Sequence, residues 1–109
     1  MYGGDQYGEQ IMQNAAVAVG NGTAIECSGF NTCTMQVTGI TSATITWECT
    51  LNGTTWVGLL VAPVTTGTAA LTATADGLYR VDCSGLRQIR ARISTWVSGT
   101  ITVRGRVQA

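Results

Sequence analysis

The stretch RQIRARISTWVSGTITVRGRV, residues Arg87 to Val107, decides how this 109-residue chain reads. No basic residue precedes Arg80, yet five of the six arginines fall here, on segments whose apolar residues recur at the period of two that a half-buried strand requires. A two-residue turn at Ser98-Gly99 would set Arg92 opposite Gly105 and Trp96 opposite Ile101, mixing arginines and core residues on one face. A three-residue loop, Ser98-Gly99-Thr100, with Gly99 taking the positive φ of a bulge, restores the parity. The expectation is a closing hairpin. Ile89, Ala91, Ile93, Thr95 and Val97 point inward with Ile101, Val103, Gly105 and Val107, while Arg90, Arg92, Ser94 and Trp96 point outward with Thr102, Arg104 and Arg106. In that register Arg92 faces Arg106, a like-charge pair that is destabilising unless an anion sits between them.

Working outward from this stretch, the chain has the size of a single domain. Only 11% of its residues are charged, and Thr, Gly, Ala and Val dominate, which favours strands over long helices or disorder. From Ala15 onward it divides into strand-like pieces separated by turn signals every 8–15 residues or so: Ala15–Val19, Thr23–Cys27, Thr34–Val37, Thr44–Leu51, Thr54–Val61, Ala69–Ala75 and Leu78–Cys83, before the final two. Asn52-Gly53 is a strong hairpin signal, pairing Cys49 with Trp56 and Ile45 with Leu60. That pairing leaves Val57, Leu59 and Val61 as an apolar row on the outer side. The reading is an all-β, antiparallel β-sandwich of jelly-roll type over residues 15–109, preceded by an extended N-terminal arm, residues 1–14. Ile45, Trp47, Cys49, Trp56, Val81, Ile93, Ile101 and Val103 are its expected core.

The net charge of zero conceals a split. Asp5, Glu9, Glu26, Glu48 and Asp76 have no basic neighbour up to residue 76, whereas the rest of the chain carries all six arginines against Asp82. Without a histidine or lysine there is no nucleophile–base pair and no Schiff-base amine, so no catalytic residue is assigned and the protein reads as a non-enzyme. Cys27, Cys33, Cys49 and Cys83 lack zinc spacing, so no metal and no cofactor is expected; buried thiols are the default, with a Cys27–Cys33 disulfide as the alternative. Nucleic acid is disfavoured by a pI near 6.1. No signal sequence and no membrane-length apolar run stands out, which points to a soluble product made in a cytoplasm.

Taken together, WECTLNGTTWVGL, ATADGLYRVDCSGLRQIRARIS and WVSGTITVRGRV resemble a small β-sandwich module of tailed-bacteriophage virion proteins. The likeness covers Thr44 to Val107, with Cys83 standing where the module usually has Val. It implies a structural role in the virion, most like a capsid decoration or cement protein bound in repeated copies, trimers for example, to a major capsid protein. Attachment at the neck or tail is the runner-up, and glycan binding through exposed Trp or Tyr a further alternative.

The partner-binding candidates follow from unsatisfied surface. Tyr2, Tyr7, Ile11 and Met12 give the arm enough apolar area to dock on a neighbour, over Val57, Leu59 and Val61. Arg90, Arg92, Trp96, Arg104 and Arg106 form a basic face suited to carboxylates: Asp5 or Glu9 of another copy's arm, Glu48 of another copy's sheet, or those of the capsid protein. The competing reading is that these arginines only keep the sheet soluble. Replacing the core residue Trp47 by Ala is expected to cost about 3–5 kcal/mol, measured by denaturant unfolding.

Overall fold

The computed structural model describes residues 8–109, and among them every regular element is a strand. In chain order these are β1 (Gln10–Ala16), β2 (Ile25–Glu26), β3 (Thr32–Thr50), β4 (Val57–Gly58), β5 (Ala62–Pro63), β6 (Thr72–Ala73), β7 (Gly77–Asp82) and β8 (Gln88–Gln108). All pair antiparallel in one sheet. The fold is all-β, as the sequence reading expects, and its two layers come from that one sheet folded across its two long strands.

The folding line replaces the expected closing hairpin. Residues 88–108 form one continuous strand, and neither half of it pairs with the other. The second half (Thr102 to Gln108) runs against Thr38 to Thr32 at the start of β3, and the first half (Gln88 to Trp96) runs against Thr50 to Ala43 at its end. Where both strands cross between layers, Gly39 (φ +87°) meets Gly99 (φ +119°). A Cβ on Gly39 would lie 1.8 Å from the Thr100 carbonyl oxygen, and one on Gly99 would lie 2.5 Å from the carbonyl oxygen of Gly39. Gly99 therefore takes the positive φ anticipated for it, but to bend a strand rather than to reverse one. The Asp76 carboxylate fixes the crossing from outside, accepting the amides of Gly39 (3.1 Å) and Ile40 (2.8 Å).

One layer consists of β1, the second half of β8, the first half of β3, β7 and β5. The other consists of β2, the first half of β8, the second half of β3, β4 and β6. Odd-numbered residues of both long strands face the common core: Cys33, Met35 and Val37, then Ile45, Trp47 and Cys49, with Ile89, Ala91, Ile93, Ile101, Val103 and Val107 of β8. Trp47 of one layer meets Tyr79 of the other, ring centroids 5.3 Å apart. The expected core holds except at Trp56, which is half-buried on the outside. Parity lapses beside the crossing, where irregular pairing between Ser42 and Ile45 turns Trp96 toward the core and leaves Thr95 and Val97 exposed, and at the end of β3, where Thr50 is buried beside Cys49.

Two local departures have clear causes. The Asn52-Gly53 connection is longer than a two-residue turn because side chains organise it. Asn52 Oδ1 accepts the amides of Thr54 (2.9 Å) and Thr55 (2.8 Å), and Thr50 Oγ1 accepts that of Gly53 (3.0 Å). The register becomes Cys49 with Val57, which lifts Trp56 out of the core. Residues 10–14, assigned to the arm by sequence, belong instead to β1. A bulge between Ile11 and Gln13 turns both Met12 and Gln13 inward, and Gln13 Nε2 ties the layers by donating to the carbonyls of Ala91 (2.8 Å) and Gly20 (3.1 Å). All four cysteines are buried free thiols, so the Cys27–Cys33 disulfide is not formed.

Gly39→Ala and Gly99→Ala each combine positive φ with a backbone clash and are expected to lose about 3 kcal/mol or more, roughly 10 °C or more in Tm. Gly29→Ala, also at positive φ but with open space around it, should lose only about 1 kcal/mol. Thermal unfolding of the three variants checks the comparison.

Candidate functional site

Because the two halves of β8 lie in opposite layers, its outward arginines occupy two outer faces. On the first, Arg90 stands directly across from Glu48, and Arg92 across from Thr46 one pleat along. Both guanidinium groups donate through Nε to the same carboxylate oxygen, Glu48 Oε1, at 2.8 and 3.1 Å. Arg90 also lies over the Trp56 ring, its Cζ 4.1 Å from the centroid. Burial pushes the Glu48 carboxyl up, but the hydrogen bonds from Arg92 and Arg90, with their charges, hold it below the usual carboxylate range. This face is therefore a finished intramolecular cluster, and the glutamate expected on another copy belongs to the same chain.

The second face is less settled. Thr34 on β3 pairs with Arg80 of β7 on one side and Arg106 of β8 on the other; Gln36, one pleat along, pairs with Leu78 and Arg104. Neighbouring strands lie about 4.8 Å apart, so these side chains form a compact patch. Arg80 Nε donates to Thr34 Oγ1 (3.3 Å). Arg104 reaches Glu9 at 3.7 Å, an exposed contact of little energetic weight. Arg106 has no ion pair or hydrogen bond among the described residues. A groove of about 360 Å³ runs over Thr34 and Gln36 between Leu78 and the two β8 arginines.

The remaining candidates scatter. Arg92 and Arg106 do not face each other, so the repulsion inferred from a hairpin register does not arise. Trp96 packs at the crossing and donates to the Gly99 carbonyl (3.1 Å), leaving the arginines without an outward tryptophan partner there. Met12 and Val61 are each 1% exposed in the chain's own core and cannot serve as docking groups; Ile11 and Val57 are exposed, and Leu59 is half-buried against the core. The apolar row is broken because β4 ends at Gly58 and Val61 bridges Ala70 instead of extending that strand. Tyr2 and Tyr7 lie outside the described residues. Sequence reasoning missed Arg80, Thr34 and Gln36, although the alternation of GLYRVD and TCTMQV already put all three on outer positions.

The fold and these faces define a small two-layered all-β module that presents arginines on a rigid sheet surface. The chain belongs to the XepA family, whose sequence pattern matches residues 6–107. Two solved structures share the fold. YomS, derived from the SPBc2 prophage, has a TM-score of 0.84 at 20% identity, over 92% of this chain and 90% of its own. XepA, an exported protein of PBSX, has a TM-score of 0.85 at 16% identity over 91% of this chain, which spans only 36% of XepA's length. No curated protein matches the chain.

The Glu48 cluster gives a pH-dependent expectation. A carboxyl held below its unfolded value stabilises the fold fully above that value, about 4.5, and loses its contribution as pH falls through the lower folded value. Glu48→Gln should cost about 1–2 kcal/mol at pH 7, where Arg90 and Arg92 lose their shared counter-ion, and the gap to wild type should close as pH falls from 4.5 through the lower folded value. Urea midpoints between pH 3 and 7 check both parts.

Proposed function

We propose that the chain is a non-enzymatic structural protein of a phage particle, attached in repeated copies to the head as a decoration protein that stabilises the capsid. The observation that carries this reading is the second arginine face. Arg80, Arg104 and Arg106 stand on a hydrogen-bonded sheet with only Glu9 as an ion-pair partner among the described residues, which suits a surface made to be covered. Membership of the XepA family and the resemblance of residues 44–107 to virion modules support the same setting. Copies would meet the capsid protein through this face and one another elsewhere, as trimers in this proposal.

A second reading has its own support. The XepA of PBSX is described as an exported protein, so attachment outside the host cell, away from particles, is the competing role.

Fractionation of an induced culture separates the two. The decoration reading expects the chain to band with particles at high, fixed stoichiometry and to label heads rather than tails in immunogold microscopy. Recovery only in the particle-free medium would overturn it in favour of the exported role, and tail or neck labelling would move the attachment point.

A further inference from the structure

The geometry points to the groove over Thr34 and Gln36 as a binding site for the carboxylates of a short acidic protein segment. This deepens the proposed function, since it rests on the chain having a protein partner. The polar groups lining the centre are poised as donors. Thr34 Oγ1 already accepts from Arg80 Nε, so its own proton is free to point outward. Arg106 lacks a described partner, and the Gln36 amide is likewise unbonded among the described residues. Arg106 lines the groove on one side of Thr34, and Arg80, from the strand on the other side and itself lining the adjoining groove, reaches over to Thr34 Oγ1, so the two guanidinium groups approach Thr34 from strands about 10 Å apart. Pairs with carboxylates would be charge-assisted and, for Arg, open to bidentate geometry.

The surroundings of the groove limit what fits. Glu9 lines the groove beside Arg104, and Asp82, one pleat beyond Arg80 on β7, lies in the adjoining groove. These acids repel a long polyanion that would run past the arginines, while a segment with one or two localised charges avoids them. Leu78, 44% exposed on the wall opposite Arg104, offers an apolar contact that a peptide side chain can use and a phosphate backbone cannot. A chain of zero net charge also lacks the general field that draws nucleic acid.

The test is an NMR titration of the full isotope-labelled chain with a hexapeptide carrying two adjacent glutamates, with its glutamine counterpart, inorganic phosphate and a ten-nucleotide single strand as the other arms. Expected are saturable shifts at the Thr34 and Gln36 amides with the acidic peptide, weakening with salt. Arg80→Gln and Arg106→Gln should each reduce affinity about tenfold, with Arg106→Lys recovering part of it, and the remote Arg87→Gln should change nothing. Equal binding of the glutamine peptide, unchanged affinity in the Arg80 and Arg106 variants, or tighter binding of phosphate or oligonucleotide would each overturn the proposal. Peptide binding by a chain that never reaches particles would keep the groove and remove the head role; decoration unaffected by Arg106→Gln would do the reverse.

Discussion

The closest constraint in the molecule is the contact of two backbones at Gly39 and Gly99. There the long strands change layers together, with the Gly39 position 1.8 Å from an oxygen once a Cβ is added. A sheet this small must cover one face to form a core, and folding a shared pair of strands achieves that without breaking their ladder. The cost is two residues at positive φ in contact, which glycine tolerates and other residues resist. Asp76 supplies the amide partners that the bend removes from the ladder.

That crossing also decides what the arginines can do. Had the final stretch formed a hairpin, Arg90, Arg92, Arg104 and Arg106 would share one face. Because β8 passes through the crossing instead, the first two meet Glu48 on one side of the molecule and the last two join Arg80 on the other. One cluster is neutralised within the chain and contributes to stability. The other keeps donors that the described chain does not use. The same strand thus supplies a structural ion cluster and the patch to which recognition is assigned, separated by the thickness of the core.

Inward parity away from the crossing was legible in the sequence, because alternation of the kind seen at Ile89–Ile93 and Ile101–Val107 depends only on which side of a pleat is buried; strand bounds were less so, since the strand expected over Ala15–Val19 is Gln10–Ala16 and those expected over Thr34–Val37 and Thr44–Leu51 are one strand. Partner identity was not. Ser98-Gly99-Thr100 has the composition of a turn, and only the distant Gly39, 60 residues earlier, shows that the chain bends there and continues. The same holds at Asn52: its side chain caps the loop, a local interaction that overrode the favoured two-residue turn and displaced Trp56. For the candidate site, the outward direction of Arg104 and Arg106 could be read, but their neighbours Arg80 and Thr34 required the pairing of β3 with both β7 and β8. The boundary at residue 14 erred because the bulge at Met12 hides the alternation of β1.

The overall neutrality of the chain leaves its unmatched positive charge local. Each described acid has a local partner: Glu9 with Arg104, Glu26 with the Gln88 amide, Glu48 with Arg90 and Arg92, Asp76 with the amides of Gly39 and Ile40, and Asp82 with the Ser84 amide. Three of the five therefore answer neutral donors rather than arginines. Glu48 answers two arginines at once, and Arg87 is turned to the Asn52 carbonyl (3.0 Å). Zero net charge is thus reached without pairing every charge to an opposite one, and the unmatched positive groups collect where β7, β3 and β8 lie side by side. At physiological salt such a local imbalance is felt over roughly 8 Å. It favours a partner whose charge is equally local and leaves the rest of the surface electrostatically quiet.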